Sequence, residues 1–177
     1  MAVSKPHTLR RIAAPVVSVE LPGHADAIEA LVDLDFGPQR LRKTSYRLRD
    51  GVAPIEGLGL VALEGSRLVG TIRYWPISIE SGARTLLLGP LAIHPERQGQ
   101  GIGRALMDES LGKARDAGWD AVVLVGDAPY YTRFGFRRDL AENLTLPGPV
   151  DPARFLGLDL TPGALDGATG PVGRAKR

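Results

Sequence analysis

Gln98-Gly99-Gln100-Gly101-Ile102-Gly103 follows an apolar run, Leu86 to Ile93, and opens an amphipathic helix. Strand, glycine turn and helix start together build an anion site from backbone alone. Glycines let the chain pass close to a ligand, and the first helical turn points unpaired N–H groups at it. A phosphate-bearing cofactor is therefore the first expectation. The helix is well specified. Gly103, Met107, Ser110, Ala114 and Ala117 recur at spacings of four and three, and Arg104, Asp108, Gly112 and Arg115 fall on the opposite, wet face. Gly118 stands where a C-terminal cap belongs, and Trp119 to Val125 reads as a buried strand.

Three phosphate loops must be told apart. A P-loop ends in Gly-Lys-Ser/Thr, which this stretch lacks. A dinucleotide fingerprint counted from Gly99 would need glycine at position 104, where Arg104 stands. Asp127 is near the place of that fingerprint's acidic residue, but the glycine register is wrong. The third pattern, Gln/Arg-x-x-Gly-x-Gly/Ala, matches Gln98, Gly101 and Gly103. It resembles the pyrophosphate loop of the GNAT superfamily of acyl-CoA-dependent N-acyltransferases. The lead-in Leu91-Ala92-Ile93-His94-Pro95-Glu96-Arg97 is similar to that family's motif, and so is Tyr130-Tyr131-Thr132-Arg133-Phe134-Gly135-Phe136 downstream. The resemblance runs from about Leu68 to Phe136. The doubled tyrosine and the Leu-Gly-Pro-Leu-Ala lead-in look like one bacterial branch of predicted acetyltransferases whose substrates are mostly unassigned.

The resemblance implies an α/β fold: a mixed, mostly antiparallel central sheet with a splayed central strand pair and helices on both faces. It also implies acetyl-CoA as cosubstrate. The backbone of Gln98, Gly99, Gln100, Gly101, Ile102 and Gly103 would hold the pyrophosphate, with Arg97 or Arg104 adding charge. The strand Thr85 to Ile93 would splay at Gly89-Pro90, because proline cannot complete a ladder. Leu91, Ala92 and Ile93 would then meet the pantetheine arm and the acyl carbonyl. Tyr131 occupies the place of the family's general acid, and Tyr130 is expected to point elsewhere. Asp127 stands where the family often has Asn and is expected to cap the helix that follows.

Composition is that of a soluble globular protein. The 177 residues suffice for one core, and 44% hydrophobic and 24% charged content is ordinary. The absence of cysteine removes thiol nucleophiles and thiolate metal sites, which favours direct attack in a ternary complex. Residues 1–14 read as a mobile leader, 15–160 as one acyltransferase domain and 161–177 as a tail rich in Gly, Ala and Pro, partly disordered or laid over the surface. The run Ile12 to Val19, broken by Pro15, is too short for a signal peptide, and no run reaches the length of a membrane span. No membrane partner is expected, and the cytoplasm is the default compartment. A net charge of +2 gives a nucleic-acid partner little support.

Further elements are expected at Val16–Leu21 (strand), Ala25–Phe36 (helix), Gln39–Arg49 (helix), the hairpin Leu58–Glu64 and Arg67–Trp75, Arg137–Leu146 (strand) and Phe155–Leu160 (last strand). The amine acceptor is not named by the sequence. Arg40, Arg42, Lys43, Arg47 and Arg49 form a basic cluster, read either as attraction of an anionic acceptor or as a solvated face. Tyr74 and Trp75 line the acceptor site or simply pack. The entering strand carries no carboxylate. Glu56, Glu64 and Glu80 are the nearest acidic residues by sequence, and none is assigned as a base. A non-catalytic acyl-CoA-binding sensor is the rival class, and a homodimer is one open arrangement.

Overall fold

The computed structural model describes residues 14–175, so nearly all of the expected leader, 1–14, lies outside the described residues. The unit around the glycine loop is a strand β4 (Thr85–Ile93), a helix α3 (Ile102–Asp116) and a strand β5 (Ala121–Val125). The order along the chain is completed by β1 (Val16–Val19), α1 (Ala25–Phe36), α2 (Thr44–Arg49), β2 (Leu60–Glu64), β3 (Arg67–Ser78), α4 (Ala128–Tyr131), β6 (Leu144–Thr145), β7 (Phe155–Asp159), β8 (Gly170–Pro171) and β9 (Gly173–Arg174). Helix α3 ends as its glycine predicts. Gly118 takes φ 76°, its N–H donates to Arg115 O (2.9 Å), and Trp119 N donates to Ala114 O (3.1 Å).

The main sheet runs β1-β2-β3-β4-β5-β7, with β9 added along the far end of β3. Every pair is antiparallel except β4–β5. Strand periodicity sorts the core. Leu60, Ala62, Leu86, Leu88, Val122 and Leu124 face α3 and pack with its Leu106, Met107, Leu111 and Ala114. Val61 and Ala92 face the other way, onto Ile28, Leu31 and Val32 of α1. Leu87, Ala121 and Val123 also face that way, but beyond the reach of α1. The mixed sheet with helices on both faces is the expected fold.

Three expectations need correction. The stretch Gln39–Arg49 is not one helix: a 3-10 turn over Pro38–Arg42 is separated from α2 by an extended Lys43 (φ −66°, ψ 143°). The break lies where Arg40 is drawn back onto α1, pairing with Glu29 (2.6 Å) and Asp33 (2.7 Å) and donating to Tyr46 Oη (2.8 Å). Leu41 is left 63% exposed while Leu48 is buried at 1%, so the two do not share a face. The segment Arg137–Leu146 is not one strand, and only its end, Leu144–Thr145, forms β6. Only Arg137 bridges Gly157; the chain then turns across β7, where a Cβ on Gly157 would lie 3.1 Å from Leu140 Cβ. The residues from Thr161 to Ala175 are ordered and include β8 and β9, paired with β6 and β3. Leu165, Ala168 and Val172 are buried against Leu87, Val123 and Phe155. Helix α1 does not reach this part of the face, and this segment, together with Leu48 of α2, removes its apolar surface from water.

Leu165 is only 2% exposed, so Leu165→Ala is expected to cost about 2–5 kcal/mol of folding stability. Urea unfolding measures it, and a loss below about 1 kcal/mol would mean that the segment lies on the core without belonging to it.

Candidate active site

Strand β4 holds β5 over only three residue pairs, Thr85–Leu87 against Ala121–Val123. Both strands continue, β4 to Ile93 and β5 to Val125, without pairing to each other. On its other side β4 carries a bulge: Ile72 pairs Leu91 and Tyr74 pairs Leu88, so Gly89 and Pro90 together oppose Arg73. Gly89 adopts φ 127°, a conformation that needs glycine, and its carbonyl accepts from Trp75 Nε1 (2.7 Å). Beyond the bulge, N–H groups alternate between the two edges of β4. His94 N donates to Val69 O on β3 (2.8 Å), so the N–H groups of Ile93 and Leu91 face the opening left by β5.

That opening is a cavity of about 740 Å³. Leu88 to Leu91 and Ile93 form one wall, Leu124 to Asp127 the other, with the glycine loop at one end and α2 at the other. Of the residues expected to hold a cofactor, Leu91, Ile93, Gln98, Gly99, Gly101, Ile102, Gly103, Arg104 and Asp127 line it. Ala92 does not: its side chain is buried beneath α1, and its N–H faces β3. Gln100 also lies off the wall, its amide donating to Glu96 O (3.2 Å). Gly99 and Gly101 have φ 74° and 85°, and Gly101 is the N-cap of α3. The first bond to the cap is donated by Ala105 to Gly101 O (3.0 Å), leaving the N–H groups of Ile102, Gly103 and Arg104 without helical partners.

The charged groups around the loop are mostly committed to other partners. Arg97 is fixed by Glu64 (2.5 Å), and Arg104 pairs loosely with Asp108 (3.6 Å). Glu64 is thus held by an arginine, and Glu56 and Glu80 do not line the cavity. Asp127 caps α4 through its backbone only; its side chain makes no capping bond. Sequence reasoning missed Asp35. The end of α1 brings its carboxylate to Ile93 N (3.4 Å) and Gln98 Nε2 (3.1 Å), so the Ile93 N–H expected to face the pantetheine arm already has an acceptor. Burial pushes the Asp35 carboxyl above the usual carboxylate range. Only a helix placed by tertiary packing brings Asp35 here, and no motif marks it.

Both tyrosines line the cavity, so Tyr130 does not point elsewhere. Their rings meet edge to face at 5.0 Å. Tyr130 reaches the start of α3, where a Cβ on Gly103 would stand 2.6 Å from its hydroxyl. Tyr131 packs on Gly126, where a Cβ would stand 2.4 Å from the ring, and against Phe136. Burial raises the Tyr131 phenol well above its ordinary value and Tyr130 less so. Tyr74 is a core residue instead: fully buried, with its hydroxyl bonded to Ser110 Oγ (2.7 Å). Trp75 lines a second cavity of about 500 Å³, reached past Tyr46, Arg49 and Pro90. Among the described residues no His, Asp and Glu cluster could hold a metal ion.

A strand pair that parts over a backbone anion site, with a buried phenol in the opening, is the layout of an acyl-CoA-dependent acyltransferase. Comparison with known proteins agrees. Residues 56–138 match the family model described as an acetyltransferase (GNAT) domain. The uncharacterized N-acetyltransferase YhbS of Escherichia coli K12 is 32% identical over 160 residues, which span 89% of this chain and 94% of that protein. The crystal structure of Escherichia coli YhbS in complex with CoA superposes with a TM-score of 0.79 at 30% identity, covering 96% of this chain and 94% of that one. A GNAT family acetyltransferase from Brucella melitensis, in complex with acetyl-CoA, gives 0.68 at 30% identity, over 91% and 96%. The chain belongs to the GNAT acetyltransferase family. Its catalytic class is acyl-CoA-dependent acetyltransferase.

Asp35 supplies a pH test. Its folded-state pKa lies above the ordinary 3.8, so its share of stability is present in acid and lost as pH rises through the folded value. Asp35→Asn keeps an acceptor for Ile93 N and removes the charge. It is expected to raise the Tm at about pH 7 and to leave it nearly unchanged below about pH 4. A lower Tm at neutral pH would show that the ionised carboxylate is a net stabiliser.

Proposed function

We propose that this protein transfers an acetyl group from acetyl-CoA to a primary amine by direct attack in a ternary complex. The observation that carries the reading is the parting of β4 from β5, which puts the α3 N-terminus, the Leu91 N–H and Tyr131 on one cavity. The residues fit the cosubstrate. A pyrophosphate needs close backbone approach and convergent N–H donors, and the loop offers Gly99, Gly101 and the three unpaired N–H groups of α3. The CoA and acetyl-CoA held by the Escherichia coli and Brucella melitensis relatives support the same cosubstrate.

Acetyl-CoA supplies an acyl group activated as a thioester. The chain contributes the rest. Leu91 N–H faces the opening and suits a carbonyl oxygen that gains charge as the amine attacks. Tyr131, like any phenol, holds its proton across neutral pH and gives it to the departing thiolate, although burial in the free protein raises its pKa and makes it a weaker acid. None of Glu56, Glu64 and Glu80 stands at the cavity to take the proton of the amine. Of the carboxylates that do line the cavity, Asp35 is held by Ile93 N and Gln98 Nε2 and Asp127 lies at the α4 cap, so the acceptor enters neutral or loses its proton to water. A typical alkyl amine has a pKa of about 10.4, so turnover should rise with pH toward the pKa of the free acceptor.

Tyr131→Phe keeps the ring and removes the proton. It is expected to lower turnover roughly 10²- to 10⁴-fold with CoA affinity nearly intact, and Tyr130→Phe to cost much less. Free-thiol release over a panel of amines reads both variants, and the reverse order would assign the acid to Tyr130. For the loop, calorimetry with CoA is the measure: Gly101→Val should abolish binding, because a side chain there meets a φ of 85° and the approach of the ligand. Unchanged affinity in a folded Gly101→Val protein would move the pyrophosphate site elsewhere.

A further inference from the structure

Three arginines near α2 pair with carboxylates; Arg42 and Arg47, both exposed, do not, and neither does Arg49, which is largely covered. Arg40 pairs with Glu29 and Asp33, Arg73 with Glu20 (2.5 Å) and Glu29 (3.1 Å), and Arg174 with Asp50 (3.1 Å). Arg49 has no carboxylate partner among the described residues. Its Nε and Nη1 are shut off from solvent and make no hydrogen bond. The guanidinium is fixed instead by aromatic rings, 4.4 Å from the Tyr46 centroid and 5.7 Å from that of Trp75. Burial pulls its pKa down, to about 10, which still leaves it protonated at neutral pH. An unpaired cation held away from water is costly to keep unless something pairs with it.

Its position says when that pairing occurs. Arg49 lines both the main cavity and the smaller one beside it. A Cβ on Gly89 would stand 2.9 Å from its Nη2, so the guanidinium rests against the bulge itself. Gly89 is two residues from Leu91, whose N–H faces the opening; that is at most roughly 7 Å along a strand. Lys43 lines the same end of the cavity, its ammonium pKa lowered by burial and then by the charges of Arg154 and Arg49. The acceptor end is therefore cationic.

We propose that the acceptor is a small amine that also carries a carboxylate, and that the Arg49 guanidinium binds that carboxylate while the amine faces the Leu91 N–H. With Nε and Nη1 covered, Nη2 is the nitrogen left open to a ligand, and it suits one charge-assisted hydrogen bond to a carboxylate. This assignment rests on the cavity taking acetyl-CoA and an amine.

The test uses matched acceptors that differ only in the carboxylate: L-phenylalanine against 2-phenylethylamine, L-leucine against 3-methylbutylamine, and 4-aminobutyrate against propylamine. Thiol release gives kcat/KM, and calorimetry on the CoA-loaded protein gives acceptor affinity. For at least one pair the carboxylated member should be favoured roughly 10- to 100-fold, through KM. Arg49→Gln should remove that preference, and Arg49→Lys should retain part of it. Absence of preference in every pair, or a preference that survives Arg49→Gln, overturns the assignment. So does a loss of CoA affinity in Arg49→Gln as large as the loss of carboxylate affinity. If no amine is acetylated at all, the proposed activity fails on its own, and calorimetry with the wild type and Arg49→Gln still decides the role of Arg49. A structural role makes a separate prediction. Without ligand, Arg49→Met should melt no lower than the wild type; a lower Tm would make the guanidinium a fixture of the fold and overturn the proposal.

Discussion

Pro90 has no N–H to give to a neighbouring strand, and Gly89 before it adopts a φ of 127° that other residues avoid. Together they oppose a single residue of β3, and beyond Leu87 β4 no longer pairs with β5. Everything at the site follows from that one interrupted ladder. The N–H groups of Leu91 and Ile93 face an opening instead of a partner strand. Tyr131 reaches the opening from the end of α4. The glycine loop closes one end and the α2 region the other. An intact ladder would have satisfied those backbone groups and closed the opening.

The parts of the site written in short-range chemistry were legible in the sequence. The glycine loop, the Gly118 cap, the Gly89-Pro90 interruption and the paired tyrosines each act through their own backbone or their nearest neighbours. The parts set by packing between distant segments were not. Asp35 reaches Ile93 across 58 residues, and no local pattern encodes that approach. The helix expected over Gln39–Arg49 breaks because ion pairs from Arg40 to α1 outweigh the propensity of a short segment. Composition misled most at the C-terminus: a Gly- and Pro-rich stretch still supplies Leu165, Ala168 and Val172 to a sheet face beyond the reach of α1.

The two ends of the cavity differ in how they meet charge. At the α3 end the attraction for anions comes from backbone dipoles, and the nearby side chains Arg97 and Arg104 are tied to carboxylates. At the α2 end it comes from side chains, with Arg49 left unpaired between two rings. Backbone donors tolerate substitutions around them as long as the turn survives, whereas a side-chain cation is lost in a single change.

Strand β9 gives the architecture an order in time. Arg174 donates to Arg47 O (2.9 Å) and pairs with Asp50, and its strand mates with Ile77 and Ser78 of β3. The wall that flanks α2 is thus tied by contacts more than 120 residues apart in the chain, with separations of 127 and 124. A chain emerging from the ribosome builds the glycine loop and α3 from neighbouring residues. It cannot fasten the α2 wall until residue 174 has been made. During synthesis the nascent protein acquires its glycine loop first and the finished α2 wall last.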